Sequence, residues 1–553
     1  MIPVITLHDV KSGNSYEVKE GVTLQQVCEQ YCQHDDMPIA AALYNNECVG
    51  LQTKVDQSGD VDWLPINTRE GNQCIIRTAI FLLVRAVSDL YPDGKVLVKH
   101  ALRKALYCEL EIGHTVTVHD VDIIKKRMHE IVEQDEPISQ VIASAETAME
   151  MCRNRHMMRE AELLRHVDVT HIMAYQCGQT FDYYMGPLLP SMGYVTCFNL
   201  RSYAPGVILE TPTVDNPNEL PEYKEIPKMA RLFLDAEEWG RIVRCEYVYD
   251  LNHYIENGTI QDMVDMAEAL QEKKLGQLAD YIVSRRPKVK VVLIAGPSSA
   301  GKTTFCKRLT TQLRVNGLRP IGISLDDYFY NREDTPKNPD GSYDFESLRA
   351  IDVPLFNLQI DDLNQGKEVH LARFDFVTGH RYFDDKPTVL EKGQPIVVEG
   401  LHALNDSLTY MLPRYEKVKI SLGVLTQIRI NDHNRISTSD TRIIRRMVRD
   451  QQFRDRGPMA TMDIWADVRR GEEKNIYPYQ EDADTIFNTA LPYELSVLKP
   501  YAEPLLESID KGSVHYAEAR RLLRFLKPFK GIDSSVVPPN SLLREFIGPD
   551  RKK

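Results

Sequence analysis

One short run of residues carries the most explicit chemistry in the chain. Gly296-Pro297-Ser298-Ser299-Ala300-Gly301-Lys302-Thr303 fits the pattern G-x-x-x-x-G-K-[ST] at every fixed position, and Thr304 follows it. Gly296 and Gly301 let the backbone curl so that successive N–H groups point inward at an anion. Lys302 can reach the terminal phosphates of a polyphosphate, and the Thr303 hydroxyl can hold Mg²⁺. The flanks agree. Val291 to Ala295 is an apolar run suited to a strand buried on both faces, and Phe305, Leu309 and Leu313 recur at helical spacing. Strand, glycine loop and helix therefore follow in order, and the helix N-terminus adds partial positive charge behind the loop. The run is expected to bind a nucleoside triphosphate.

Two acids stand where this chemistry needs them. Pro320 to Leu325 reads as a second buried strand and runs into Asp326-Asp327-Tyr328-Phe329. A carboxylate at the C-terminal end of a parallel strand faces the ligand crevice, so Asp326 can accept or orient a substrate hydroxyl and help hold Mg²⁺. Asp327 reads equally well as a turn residue. Pro395 to Val398 leads into Glu399, an acid placed to reach Mg²⁺. Farther on, Arg442, Arg445, Arg446 and Arg449 lie three or four apart on one side of an expected helix, with Arg456 after it. They suit a mobile cationic lid over the phosphates, though a solvated basic face has the same spacing.

These residues resemble the uridine kinase and phosphoribulokinase group of P-loop kinases, with uridine-cytidine kinase most similar. The resemblance rests on the phosphate loop, Leu325-Asp-Asp-Tyr-Phe, Tyr343-Asp-Phe-Glu-Ser with Asp352, Arg373-Phe-Asp-Phe-Val-Thr-Gly-His-Arg381, Val397-Val-Glu-Gly and Asp440-Thr-Arg to Asp450. It implies ATP and Mg²⁺ as cofactors and transfer of the γ-phosphate to the 5′-hydroxyl of uridine or cytidine. Asp326 and Lys302 would be catalytic, and Thr303, Glu399 and Asp326 would hold the metal. Residues 296–304 with Arg442, Arg446, Arg449 and Arg456 would bind ATP. Tyr328, Phe345, Glu346, Phe374, Asp375, His380, Arg381, Arg446 and Arg449 would face the nucleoside. Two positions depart from the family: its base-contacting histidine falls on Gly379, with His380 next to it, and its last lid arginine falls on Pro458.

The N-terminal half resembles another family. Strands at Pro3 to Leu7 and Ser15 to Val18, a Thr23-capped helix to Tyr31, and strands near Ala40 and Cys48 resemble the β-grasp TGS domain of threonyl-tRNA synthetases. From Ile75, the stretches Leu82 to Pro92, Val121 to Ile131 and Gly186-Pro187 resemble the editing-associated second domain of threonyl- and alanyl-tRNA synthetases. That family's metal ligands fall here on Arg77, Phe81, Tyr184 and Leu188, none of which supplies an imidazole or thiolate. Aminoacyl-tRNA editing is therefore not expected. Cys152 and His156, four apart on an expected helix, do not make a metal site alone. His114 and His119 are expected to flank an alternating strand.

The resulting expectation is a multidomain α/β chain: a TGS-like β-grasp domain at 1–66, an α+β editing-like domain at 67–230, and a helical connector at 231–285. A P-loop NTPase parallel-sheet kinase domain at 286–505 and a tail at 506–553 complete it. With 553 residues the chain is too long for one core. Its net charge of −13 disfavours a bulk nucleic-acid or membrane binder, and its ten cysteines without a C-x-x-C pair point to free thiols in a reducing compartment. A soluble, cytoplasmic protein is expected, with a small-molecule nucleoside as partner and no membrane partner. Another small alcohol as acceptor, an ATP-switched RNA-binding or regulatory role, tRNA binding by the front domains and homo-oligomerisation stay open. Pro538-Pro-Asn-Ser-Leu-Leu-Arg-Glu-Phe reads as a strap with no evident function.

Overall fold

The computed structural model of the protein describes residues 3–32, 37–154, 157–165, 171–337, 341 and 343–549. The chain begins with β1 (Val4–Asp9), β2 (Ser15–Lys19), α1 (Leu24–Tyr31), β3 (Ile39–Tyr44), β4 (Glu47–Gly50) and β5 (Gly59–Pro65). Alternating burial along β1 and β2 puts one face of this five-stranded sheet on a small core with Leu24 and Val27 of α1. Thr23 caps α1 reciprocally with Gln26, which fixes where the helix starts.

The second region contains α2 (Arg69–Leu90), β6 (Lys95–Leu102), β7 (Ala105–Glu111), α3 (Val118–Gln134), β8 (Ser139–Ser144), α4 (Ala145–Asn154), α5 (Met158–Arg165), β9 (His171–Cys177), β10 (Thr180–Asp182), β11 (Asn199–Tyr203) and β12 (Gly206–Glu210). Two antiparallel sheets, ordered β11-β12-β7-β6 and β10-β9-β8, accompany the long α2, whose buried side chains run from Cys74 to Val87. His114 and His119 do not flank a strand. The Thr117–Asp120 capping box starts α3 at Val118, so His119 lies on the helix and His114 pairs with Asp120 at 3.2 Å. Local cap chemistry outweighs the alternating pattern there. Cys152 sits on α4, and His156 lies outside the described residues.

Helices α6 (Pro227–Ile242), α7 (Val248–Glu256) and α8 (Ile260–Ser284) follow. Next come β13 (Val291–Ala295), α9 (Lys302–Val315), β14 (Ile321–Ser324), α10 (Val353–Asn364), β15 (Ala372–Asp375), β16 (His380–Phe383), β17 (Ile396–Glu399), β18 (Lys417–Gly423), α11 (Thr438–Phe453), α12 (Pro458–Asp463), α13 (Trp465–Asn475), β19 (Thr485–Asn488), α14 (Glu494–Glu507), α15 (Tyr516–Leu526) and α16 (Arg544–Ile547). The sheet order is β14-β17-β13-β18-β19, parallel throughout, so β13 is central and buried along its whole length. The three strands whose C-terminal ends carry the phosphate loop, Asp326 and Glu399 are adjacent in it.

One apolar cluster extends from Val243 through α7, α8 and the sheet to Leu542, Phe546 and Ile547. The connector and the tail are therefore built into the core of the parallel sheet, and boundaries at 285/286 and 505/506 cut through it. The β18–α11 loop also enters the second region. Val98 N–H donates to Asp432 O at 2.8 Å, Met185 N–H donates to Asn434 Oδ1 at 3.0 Å, and His433 Nδ1 lies 2.7 Å from Asp182. Among the described residues no helix is long and apolar enough to cross a membrane.

Candidate active site around the phosphate loop

The loop after β13 is shaped by close approach as well as by glycine freedom. Gly301 has φ +80°, and Ser299 reaches φ +60° despite its side chain. Gly296 has no positive φ, but a Cβ there would lie 2.7 Å from Leu422 Cβ on the neighbouring strand. Lys302 Nζ donates to Gly296 O at 2.9 Å and to Pro297 O at 3.3 Å, so its ammonium lies folded over the loop. Pro297, Ser299 and Ala300 are buried, whereas Thr303 is open to solvent at the first turn of α9.

Asp326 follows β14 in a tight 3₁₀ turn (Leu325–Tyr328), and Glu399 ends β17. Asp326 is surrounded by protein yet stays solvent-accessible, as the floor of an open cleft does. Its loss of hydration pushes its carboxyl up, Lys302 pulls it down, and Asp327 adds repulsion. Glu399 is raised in the same way, by burial first, with Asp326 and Glu545 adding to it against Lys302. Burial and Glu472 push Glu346 up to about 7. Three acids thus lie around Lys302, with Arg454 acting on Asp326 and Arg446 on Glu346 as well. Among the described residues no group of three or more His, Cys, Asp or Glu is arranged to hold a metal alone. Thr303, Asp326 and Glu399 are nevertheless hard oxygen donors of the kind Mg²⁺ takes, since it uses one or two carboxylates together with substrate phosphates. The donor set fits that ion.

The arginines divide into two groups, which corrects both sequence readings of the run. Helix α11 is neither a mobile lid nor a solvated face, because its basic side is buried. Arg442 pairs with Glu472 and donates to Ser298 O at 3.0 Å. Arg445 pairs with Glu494 and donates to Ser299 O at 3.2 Å. These two brace the loop from beneath, so Arg442 is not available to phosphates. Arg446 donates to Ser298 Oγ at 2.6 Å, and Arg449 lies 3.6 Å from Glu545. Burial, with repulsion from Arg454, pulls Arg449 down to about 10. Arg456 stands on the partly exposed loop before α12, whose first residue is Pro458.

The expected nucleoside-facing residues also divide. Tyr328 is a correction: it is fully buried against Phe356, and its hydroxyl donates to Gln359 at 2.8 Å. Phe345 and Phe374 instead meet around Phe329, at ring separations of 5.9 and 5.7 Å, with Phe376 5.1 Å from Phe374. Sequence reading missed Phe329 and Phe376 as members of this half-open aromatic patch. Their signal was an aromatic three residues after Asp326 and another two after Phe374. Asp327 holds the patch in register by pairing with Arg373 at 2.9 Å. Arg381 pairs with Asp352 at 2.9 Å, and Asp375 caps its own turn at Val377 N. Gly379 has φ +78°, a conformation that strains any other side chain, and a Cβ there would meet the Arg332 side chain, with Nε at 2.9 Å. His380 is solvent-exposed, 3.4 Å from Glu333, and does not take that place.

In the second region Arg77, Phe81, Tyr184 and Leu188 do come together. Phe81 and Tyr184 meet edge-on at 5.7 Å, Leu188 is fully buried, and Arg77 Nε donates to Pro187 O at 3.0 Å. A cavity of about 790 Å³ between the second region and the sheet is lined by Arg103, Lys104, Tyr223 and Arg435. It touches Pro297 and Arg442 but contains neither Lys302, Asp326 nor Glu399.

Residues 291–494 match the Phosphoribulokinase / Uridine kinase family. The N-terminal region is similar to threonine–tRNA ligases. That of Caldanaerobacter subterraneus subsp. tengcongensis is 26% identical over 202 residues, covering 36% of this chain and 31% of the relative. That of Syntrophotalea carbinolica is 31% identical over 169 residues, covering 30% and 26%. The chain thus spans less than a third of the length of these relatives. Among solved structures, a possible uridine kinase from Bacillus stearothermophilus covers 39% of this chain and 98% of its own at 17% identity and TM-score 0.24. D-glycerate 3-kinase from Cryptococcus neoformans var. grubii covers 37% and 88% at 12% identity and TM-score 0.25.

Proposed function

We propose that this chain, a phosphoribulokinase / uridine kinase family domain behind a threonine–tRNA ligase-like N-terminal region, transfers the γ-phosphate of ATP to the 5′-hydroxyl of uridine or cytidine. One observation carries the reading. Adjacent parallel strands deliver the phosphate loop, Asp326 and Glu399 to the same edge of the sheet, with Lys302 coupled electrostatically to both acids. A glycine turn of purely structural use would not need that arrangement.

The loop amides and Lys302 would hold the triphosphate, and Thr303, Glu399 and Asp326 would hold Mg²⁺. The ion supplies charge neutralisation at the phosphates. Asp326 would take the hydroxyl proton or fix the direction of the attacking oxygen. Arg446 and Arg449, held at the loop by α11, would balance charge that develops on the transferred group. Asp326 is the open acid of the pair on the turn; Asp327 is committed to Arg373.

The acceptor is inferred from the aromatic patch. Phe329, Phe345, Phe374 and Phe376 offer ring faces and edges next to the turn that carries Asp326, which suits a flat base. With a glycine at 379, base recognition would rest on stacking and on Glu346 rather than on a histidine. ADP release with ATP and Mg²⁺ against uridine, cytidine, purine nucleosides and sugar alcohols tests this. Turnover with a pyrimidine nucleoside, lost in Asp326→Asn, is expected. Turnover only with a non-nucleoside alcohol would keep the chemistry and remove the proposed acceptor.

A further inference from the structure

The segment Ser541–Gly548 lies directly on the phosphate loop. The first intrahelical bond of α9 runs from Phe305 N–H to Gly301 O at 2.9 Å, so earlier amides of that turn have no partner within the helix. Such orphan donors at a helix N-terminus are anion sites. Thr304 N–H is already donated to Glu545 Oε2, at 3.1 Å. On its other side Glu545 lies 3.6 Å from Arg449, a guanidinium whose Nε has no hydrogen-bond partner.

Three further contacts seat the segment. Leu542 Cδ2 lies 2.3 Å from where a Cβ on Gly301 would stand, so the leucine fills the space that glycine opens. Phe546 is fully buried with the Arg445 guanidinium 4.9 Å over its ring, and Leu543 is buried beside it. Arg544 donates to Ser534 O at 3.0 Å, tying the segment back to the tail before it. A second carboxylate, Glu472, accepts from Ser298 N–H at 2.8 Å, but it is sealed in a pair with Arg442. Glu545 has only the looser Arg449 contact, and of the two it is the one free to leave.

We propose that Ser541–Gly548 is an internal anion strap: Glu545 competes with a nucleotide phosphate for the Thr304 amide and for Arg449, and nucleotide binding displaces it. This rests on the reading of the loop as a nucleotide site. One N–H cannot serve both a carboxylate and a phosphate oxygen, and two anions at that spacing repel. Arg449 then exchanges Glu545 for phosphate, so the same event that fills the loop frees the strap. Binding and strap release are two faces of one equilibrium, and the strap lowers nucleotide affinity by the population it holds closed.

Affinity for ADP with Mg²⁺ is measured by calorimetry on the full chain and on three variants. Glu545→Ala is expected to bind about tenfold tighter or more, the worth of one charge-assisted hydrogen bond. Leu542→Ala loosens the strap without removing a charge and is expected to tighten binding as well. Lys302→Ala is expected to lose binding. Unchanged or weaker binding in both strap variants, with Lys302→Ala inactive, would overturn the strap and leave the nucleotide site standing. No binding in any protein, wild type included, would defeat the nucleotide-site reading and the strap with it. Amide hydrogen exchange across 541–548 gives a second readout. Faster exchange on adding ADP to the wild type supports displacement, and unchanged or slower exchange contradicts it.

Discussion

Two sets of residues occupy positions that family resemblance gives to active sites, and the structure treats them differently. At the end of β13 the phosphate loop has its amides, its lysine and its acids, and burial raises both acids, with Asp327 adding to it at Asp326 and Asp326 with Glu545 adding to it at Glu399. In the second region, the positions that the synthetase resemblance gives to metal ligands carry Arg77, Phe81, Tyr184 and Leu188; Phe81 meets Tyr184 edge-on and Arg77 donates to Pro187 O. One site carries two acids beside a lysine; the other carries an aromatic pair and a buried leucine. A scaffold keeps its shape by packing, whereas a site for chemistry needs particular polar side chains held against their desolvation cost.

The contrast predicts opposite responses to substitution. Asp326→Asn should lower kcat by roughly 10²- to 10⁴-fold, the usual share of general base catalysis, without loss of stability; steady-state kinetics beside thermal unfolding would show it. A similar fall in both would mean that Asp326 is structural. Arg445→Ala should do the reverse of a catalytic change. It leaves buried Glu494 unpaired, at a cost of about 3–5 kcal/mol in chemical denaturation. Phe81→Ala should cost a similar ~3–5 kcal/mol, while the KM for ATP stays unchanged and Zn²⁺ gives no stabilisation. A zinc-dependent rise in Tm would break the comparison, because the second region would then still hold a metal.

A smaller effect concerns how the two regions are joined. His433, facing Asp182, is raised to about 9, with burial opposing and the Asp182 charge raising it. Glu160 and Asp432 also raise it. Because its folded value lies above the ordinary 6.5, its stabilisation is complete below about pH 6.5 and is lost as pH rises through 9. Unfolding free energy should therefore fall by on the order of 2 kcal/mol between pH 6.5 and 9.5. His433→Gln should flatten that profile. The smallest change expected is at the aromatic patch. Phe374→Leu should raise the nucleoside KM by about three- to tenfold, the worth of one ring contact, with little change in kcat.

Much of the phosphate-loop half was legible because its signal is contiguous. Eight neighbouring residues and an apolar strand define the loop, and Asp326 and Glu399 each end an apolar run of their own. The capped start of α1 at Thr23 was legible for the same reason. What sequence could not show depends on contacts between distant segments. Spacing put Arg442 and Arg445 on the right helix face, but only the positions of Glu472 and Glu494 reveal that this face is buried beneath the loop. Tyr328 sits two residues after the open Asp326 and just before Phe329 of the aromatic patch, yet the 3₁₀ turn rotates it into the core. The strap could be read as docking but not where, since Glu545 and Thr304 are 241 residues apart.

The central claim is that the loop, Lys302 and Asp326 transfer the terminal phosphate of ATP to the 5′-hydroxyl of a pyrimidine nucleoside. The most direct measurement follows the terminal label of γ-labelled ATP in the presence of Mg²⁺ and uridine, with Asp326→Asn alongside. Label on the 5′-oxygen of the nucleoside is expected, formed by the wild type and lost in the variant. Label remaining in ATP, or released only as inorganic phosphate at the same rate by both proteins, would contradict it.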